Sequence, residues 1–193
     1  GPTLLVIGGI DGDEPGGFNA AAILSTHYTI DSGNVWIVPN LNFYSIIRRS
    51  RGIYGDMNRK FASLKPNDPE YDTVKKIQKI ISDERVGLIV NLHDGSGFYR
   101  PKYVDNKHSP HRWGQSCIID QESIEDKRYG NLKEIANFVT DKVNEKLIDE
   151  EHRYHVKNTK TREGDMEMAK TLTYYAINQG KPAFGNEGSK EFD

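Results

Sequence analysis

A chain of 193 residues is long enough to bury one real core, and a formal net charge of −2 at pH 7 gives no global field for nucleic acid or an anionic membrane. The single cysteine, Cys117, excludes an internal disulfide and a thiolate zinc cluster. No apolar run approaches membrane-spanning length, and no signal peptide is present.

Gly1-Pro2 opens almost directly on a core strand, Leu4–Ile7, so an upstream leader is expected to have been removed. The strand runs into Gly8–Gly17, a turn holding five glycines, and an apolar helical pattern follows from Phe18 to Tyr28. So many glycines let a backbone bend freely and come close to something bound. Asp11, Asp13 and Glu14 crowd three carboxylates into the turn, and such a group repels itself unless a cation or basic side chain neutralises it. Two readings stand. The acids cap the helix N-terminus, with Pro15 in its first turn, or Asp11 and Glu14, three apart, reach one metal ion. A phosphate loop is excluded, because no Gly-Lys-Ser/Thr ending exists and the acids would repel phosphate.

Val35–Pro39 reads as a second strand ended by proline, and Leu41–Ser50 as a polar-apolar connection. Arg48, Arg49, Arg51, Arg59 and Lys60 then form a local basic cluster, either a solvated face or a carboxylate-recognition surface. Tyr71, Val74, Ile77 and Ile80–Ile81 recur at helical spacing over about 70–82. Val86–Leu92 is a branched-residue strand that runs into a second glycine turn, His93–Gly97. Residues 98–130 look irregular, with strand pieces near Tyr103 and at Cys117–Ile119. Leu132, Ile135, Ala136, Val139, Val143 and Leu147 predict a long helix. Asp165 is expected to cap another that runs to about Gln179, and Ala183–Gly188 is the last strand. The chain closes abruptly on Phe192-Asp193 and is expected to be a piece of a longer protein.

Alternating strands and helices favour an α/β fold, in which ligands bind beyond the carboxyl ends of strands. Three strands end in suggestive groups: Asp11 and Glu14, His93, and Glu187. A lone histidine is usually structural, but beside two carboxylates it completes a three-ligand metal site with an open water position. Glu187 is either salt-bridged or a half-buried base next to metal-bound water. His108, His111, His152 and His155 read as surface residues.

With these residues assembled, the chain resembles the M14-type zinc carboxypeptidases. Those carry His-X-X-Glu after the first core strand, an Asn-Arg pair, a later strand-end His and a Glu on a late strand; the matching positions are Asp11 and Glu14, Asn58 and Arg59, His93, and Glu187. Longer segments, Gly52–Phe61, Leu92–Gly95, Tyr99–Pro101, Arg112–Gly114 and Asn186–Glu191, resemble the cell-shape-determining DL-carboxypeptidases of helical bacteria. The resemblance implies a mixed, mostly parallel central sheet flanked by helices. It implies one catalytic domain over 1–193, followed in the full protein by small β-rich domains. It also implies a periplasmic enzyme that trims peptidoglycan tripeptide to dipeptide by releasing meso-diaminopimelate. In that scheme Asp11, Glu14 and His93 hold Zn²⁺, Glu187 is the base and Arg51 steadies the oxyanion. Asn58 and Arg59 clamp the terminal carboxylate, Trp113 and Thr173 line the pocket, and Tyr174 and Tyr175 are weaker candidates. One departure matters: where the general family has His and the cell-shape group has Gln, this chain has Asp11. Asp binds zinc through oxygen as Glu does, but its extra charge weakens the metal as a Lewis acid. Two alternatives stay open, an N-acyl-amino-acid deacylase on the same scaffold and a non-catalytic domain that binds a peptidoglycan peptide.

Overall fold

The computed structural model describes residues 1–192; Asp193, the end of the closing segment, lies outside them. In chain order the elements are β1 (Thr3–Gly8), α1 (Pro15–His27), β2 (Asn34–Val38), α2 (Phe43–Arg48), α3 (Tyr71–Ile81), β3 (Val86–Gly95), β4 (Phe98–Tyr99), β5 (His108–Ser109), β6 (Ser116–Ile119), α4 (Leu132–Asn144), β7 (His155–Asn158), α5 (Leu172–Asn178) and β8 (Ala183–Ser189). Six strands form one sheet in the order β2-β1-β3-β8-β6-β7, and β4 pairs with β5 in a small separate ribbon. Only the β6–β8 pairing in the large sheet is antiparallel, so the sheet is mixed and mostly parallel, as expected.

The core follows from the apolar patterns. Leu5 and Ile7 of β1 and Val86 and Ile89 of β3 are fully buried, as befits strands covered on both faces. On α3, Val74, Ile77 and Ile81 bury one stripe at helical spacing. Each such side chain contributes roughly 1.5–3 kcal/mol of burial energy. Among the described residues no helix is long and apolar enough to cross a membrane.

Several local expectations are corrected. Leu41–Ser50 is not a plain connection, since it contains α2. His93–Gly97 is not all turn: β3 continues to Gly95, so His93 is a strand residue. Tyr103 lies in no strand, and the flanking pieces are β4 and β5. The helix expected from Asp165 is divided. Asp165 Oδ1 accepts from Glu167 N and Met168 N and caps only a short turn, Met168–Lys170. Thr171, whose hydroxyl accepts from Tyr174 N, caps α5 itself.

The glycines after β1 do permit close approach, but to the chain's own backbone. A Cβ on Gly12 would lie 2.1 Å from the carbonyl carbon of Ser45, and one on Gly17 would lie 2.5 Å from the oxygen of Leu92. The first glycine lets α2 press on the turn, and the second lets α1 settle on β3. Between them the two contacts fix the acidic turn between α2 and the end of β3.

Candidate metal centre and active site

Register places the chemistry. β1 pairs with β3 in parallel, with Gly8 opposite Leu92, so the turn leaving β1 passes over His93. On the other side of β3, His93 is directly opposite Glu187 of β8. Cross-strand partners share a face, so imidazole and carboxylate project together at the carboxyl end of the parallel strands.

Asp11, Glu14 and His93 are all buried, and one ligand atom from each falls within 4.8 Å of the other two. His93 Nδ1 lies 2.8 Å from Glu14 Oε2 and 3.3 Å from Asp11 Oδ2. Asp94 N donates to the same Glu14 oxygen at 3.1 Å. Arg51 closes the cluster, with Nη1 donating to Glu14 Oε1 at 3.0 Å, Nη2 lying 3.3 Å from Asp11 Oδ2, and Nε donating to Asp56 Oδ2 at 2.8 Å. Glu14 occupies the cap position of α1 but makes no capping hydrogen bond, so its carboxylate faces the cluster and not the helix.

The electrostatics follow from this crowding. Burial works to raise the Glu14 carboxyl, but His93, the Asp94 N–H and Arg51 outweigh it and hold it below the ordinary value. Burial likewise opposes charge on His93, yet Asp11, Glu14 and Glu187 together keep it protonated well above the usual histidine range. Glu187 goes the other way. Burial, reinforced by Glu14, Asp11 and Asp94, pushes its carboxyl up to about 8 against the pull of His93. What surface Glu187 retains is pocket surface.

These residues fit a divalent cation. Both oxygens of Asp11 are buried without an aligned hydrogen bond, although Arg51 and His93 come within ion-pair range. A buried carboxylate left in that state is costly unless a cation takes it up. Two carboxylates and one imidazole are donors of the type that bind catalytic zinc.

The cluster floors a pocket of about 330 Å³. Arg51, Asn58, Arg59, Trp113, Thr173 and Glu187 all line it. Asn58 Oδ1 accepts from Leu172 N at 3.0 Å, which leaves its Nδ2 as a donor. Arg59 is loosely held, with Nε 3.4 Å from Glu167 and Nη1 3.9 Å from Asp56. Trp113 is braced by Lys157, whose Nζ sits 4.4 Å from its ring centroid and 4.4 Å from that of Tyr99. Tyr174 and Tyr175 do not line the pocket; both pack against the core.

The basic cluster divides by environment. Arg48 and Arg49 are exposed, Arg51 and Arg59 turn to the pocket, and Lys60 is buried against Asp68 and Glu70. Of the four histidines expected at the surface only His111 is exposed. His108 and His152 stack on Phe98, and His155 is half-buried in β7. The lone thiol, Cys117, is pushed up to about 12 by burial and is inert. Sequence reading missed Asn91 and Lys157. An asparagine within an apolar strand, two residues before a candidate ligand and so on the same face, was the available signal for the first.

A family model described as the catalytic region of the carboxypeptidase controlling helical cell shape matches residues 1–193. The chain belongs to this family. Crystal structures of the cell shape determinant Csd4 from Helicobacter pylori match closely. The tripeptide-bound form is 49% identical, with a TM-score of 0.96 over 98% of this chain and 46% of that one. The mDAP-bound form, described as a D,L-carboxypeptidase, is 50% identical with the same TM-score, again over 98% and 46%. This chain therefore spans about half the length of those structures. A succinylglutamate desuccinylase/aspartoacylase from Rhodobacter sphaeroides, at 17% identity and a TM-score of 0.65 over 98% of this chain and 49% of that one, shares the fold. No curated protein matches the chain.

Proposed function

We propose that this chain is the catalytic region of a zinc-dependent DL-carboxypeptidase of the periplasm. It removes meso-diaminopimelate from peptidoglycan tripeptide, leaving dipeptide, and so sets cell shape. The observation that carries this reading is the buried Asp11–Glu14–His93 group with Glu187 directly across the strand pair from its histidine. Support comes from the family match and from relatives solved with tripeptide and with mDAP. Likeness to the desuccinylase reaches the scaffold alone, so the deacylase alternative gains no residue-level support.

Asp11, Glu14 and His93 hold the metal ion, which when bound polarises the scissile carbonyl and acidifies a water. Glu187 accepts the proton of the attacking water and returns it to the leaving amine, within reach because β8 sets it beside His93. Arg51, anchored by Asp56, presents a guanidinium to the developing oxyanion. Asn58 Nδ2 and the Arg59 fork receive the terminal carboxylate, which makes the enzyme an exopeptidase. Trp113 and Thr173 wall the pocket.

Incubating Zn²⁺-loaded protein with muropeptide tripeptide should release diaminopimelate, while N-acyl amino acids stay intact. Absence of release at saturating Zn²⁺ removes the reading. Within it, Arg59→Ala should raise KM about tenfold for substrates with a free terminal carboxylate, and amidated peptides should be poor substrates for the parent. Equal cleavage of amidated peptides removes the clamp.

A further inference from the structure

His93 has two ring nitrogens with different neighbours. Nδ1 faces Glu14 and Asp11, while Nε2 lies 2.7 Å from the amide nitrogen Nδ2 of Asn91. For Nδ1 to offer its lone pair to a cation shared with those acids, the ring proton must sit on Nε2. The amide as oriented opposes this, since an NH₂ group suits only a ring whose Nε2 is bare. Meanwhile Asn91 Oδ1 is buried with no hydrogen-bond partner, in a side chain with no exposure at all. An unsatisfied buried acceptor and a mismatched donor belong to the same carboxamide. Turning it over by 180°, which the nearly equal size of its O and N allows, gives Oδ1 the ring N–H and removes the mismatch at Nε2, and it sets Nδ2 where Oδ1 had no partner.

We infer that Asn91 is the positioning residue that selects the metal-binding tautomer of His93, its amide turning so that Oδ1 accepts from Nε2–H. The inference rests on the proposed metal centre and adds the residue that prepares its imidazole. Strand geometry supports the assignment. Residues 91 and 93 share one face of β3, so the amide meets the ring edge without any loop to order. Asn91 lies between Ile7 of β1 and Gly185 of β8, and Gly185 sets no side chain beside it to obstruct the turn. Chemistry favours an amide here. A carboxylate would accept the same proton but would add a further negative charge to a pocket already holding Asp11, Glu14 and Glu187. An aliphatic side chain would leave Nε2–H unsatisfied.

The test compares the parent with Asn91→Leu and Asn91→Asp. Zn²⁺ affinity is read by competition with a chromophoric chelator, and fold is checked by circular dichroism. Asn91→Leu should lose roughly 10–100-fold in affinity, the usual cost of removing an outer partner of a histidine ligand. Asn91→Asp, which keeps the acceptor, should recover affinity to within a few-fold of the parent. In ¹⁵N-histidine-labelled parent protein, His93 Nε2 should carry the proton and Nδ1 should shift on Zn²⁺ loading. Parent-like affinity in folded Asn91→Leu, or ligation through Nε2, overturns the inference and leaves the metal centre standing. Failure of the parent to bind Zn²⁺ removes the metal centre and the inference with it. Should Asn91→Leu not fold, Asn91→Asp and the parent spectrum decide the matter: a bare Nε2 in the loaded protein, or a tenfold loss in Asn91→Asp, overturns it.

Discussion

Two buried clusters in this molecule set acids against bases, and they do so to opposite effect. Around Lys60, Nζ meets Asp68 at 2.9 Å, Glu70 at 2.7 Å and the carbonyl of Tyr54 at 2.8 Å, while Asp68 also accepts from Glu70 N. Around His93, the acids Asp11, Glu14 and Glu187 converge, and the two oxygens of Asp11 lack any aligned partner. Hydrogen bonds donated to Glu70 and Asp68 keep Lys60 charged despite its burial, so in the first cluster a cation already faces both acids and holds the segment before α3 in place. The second keeps acceptor capacity turned inward. Glu70 Oε2 also lacks an aligned hydrogen bond, but the Lys60 ammonium stands 2.7 Å from it, whereas the bases nearest Asp11 stand 3.3 Å away. An acid with its cation already in place marks structure, and one without marks a place for a cation.

The largest expected effect tests the second cluster directly. Glu187→Gln keeps the volume and removes the base, so kcat should fall about 10²–10⁴-fold. Zn²⁺ affinity should stay within a few-fold of the parent, because Glu187 lies outside the three-ligand group. Full turnover in this variant would place Glu187 with the structural acids and blur the contrast.

Lys60→Met tests the first cluster. It strips Glu70 and Asp68 of their shared cation, and breaking a buried pair costs about 3 kcal/mol. Tm should drop by about 6–12 °C for a domain of this size, while kcat and Zn²⁺ affinity stay near parental values. A variant as stable as the parent would show that Lys60 is no more than a surface ion pair.

The sequence made the second cluster legible and hid the first. Asp11, Glu14 and His93 follow strong apolar runs and Glu187 sits in a short strand-like segment, so strand signals pointed to them one by one. What no single-sequence pattern supplies is register, and register alone makes Glu187 the neighbour of His93. Lys60 sat among arginines and read as surface, because its partners lie eight and ten residues on across an irregular segment. α2 escaped for a different reason. Its large apolar residues Phe43, Tyr44 and Ile47 point outward, so it lacks an inward apolar stripe. β7 carries one apolar residue in four, Val156, and its place in the sheet comes from pairing with β6. With it went Lys157, the brace of Trp113.

Asp11→Asn tests the second cluster at its least satisfied acid. In metal-free protein the lost carboxylate had no aligned hydrogen bond, and Arg51 keeps Glu14 and Asp56. Asn keeps the shape and removes a buried charge that no aligned hydrogen bond satisfied, so the loss of metal-free stability should be smaller than for Lys60→Met. Zn²⁺ affinity should fall at least about tenfold, because a charged donor has become neutral. A large loss of stability without metal would mean that Asp11 serves the fold as Asp68 does.

The last comparison is the pH dependence of metal-free stability. In the folded protein the Glu187 carboxyl is raised to about 8, against 4.5 ordinarily. Between those values the folded state holds a proton that the unfolded chain has released, so stability is present at low pH and declines as pH rises through this window. Glu187→Gln lacks that decline. Glu187 is one of the acids that raise His93, so the difference between the two curves reports the Glu187–His93 pair together. The variant's Tm should match the parent's near pH 5 and exceed it near pH 8. A difference that stays flat across this range would mean that Glu187 is solvated like a surface acid. The unmet charge would then be confined to the turn after β1, and the contrast with the Lys60 cluster would rest on Asp11 alone.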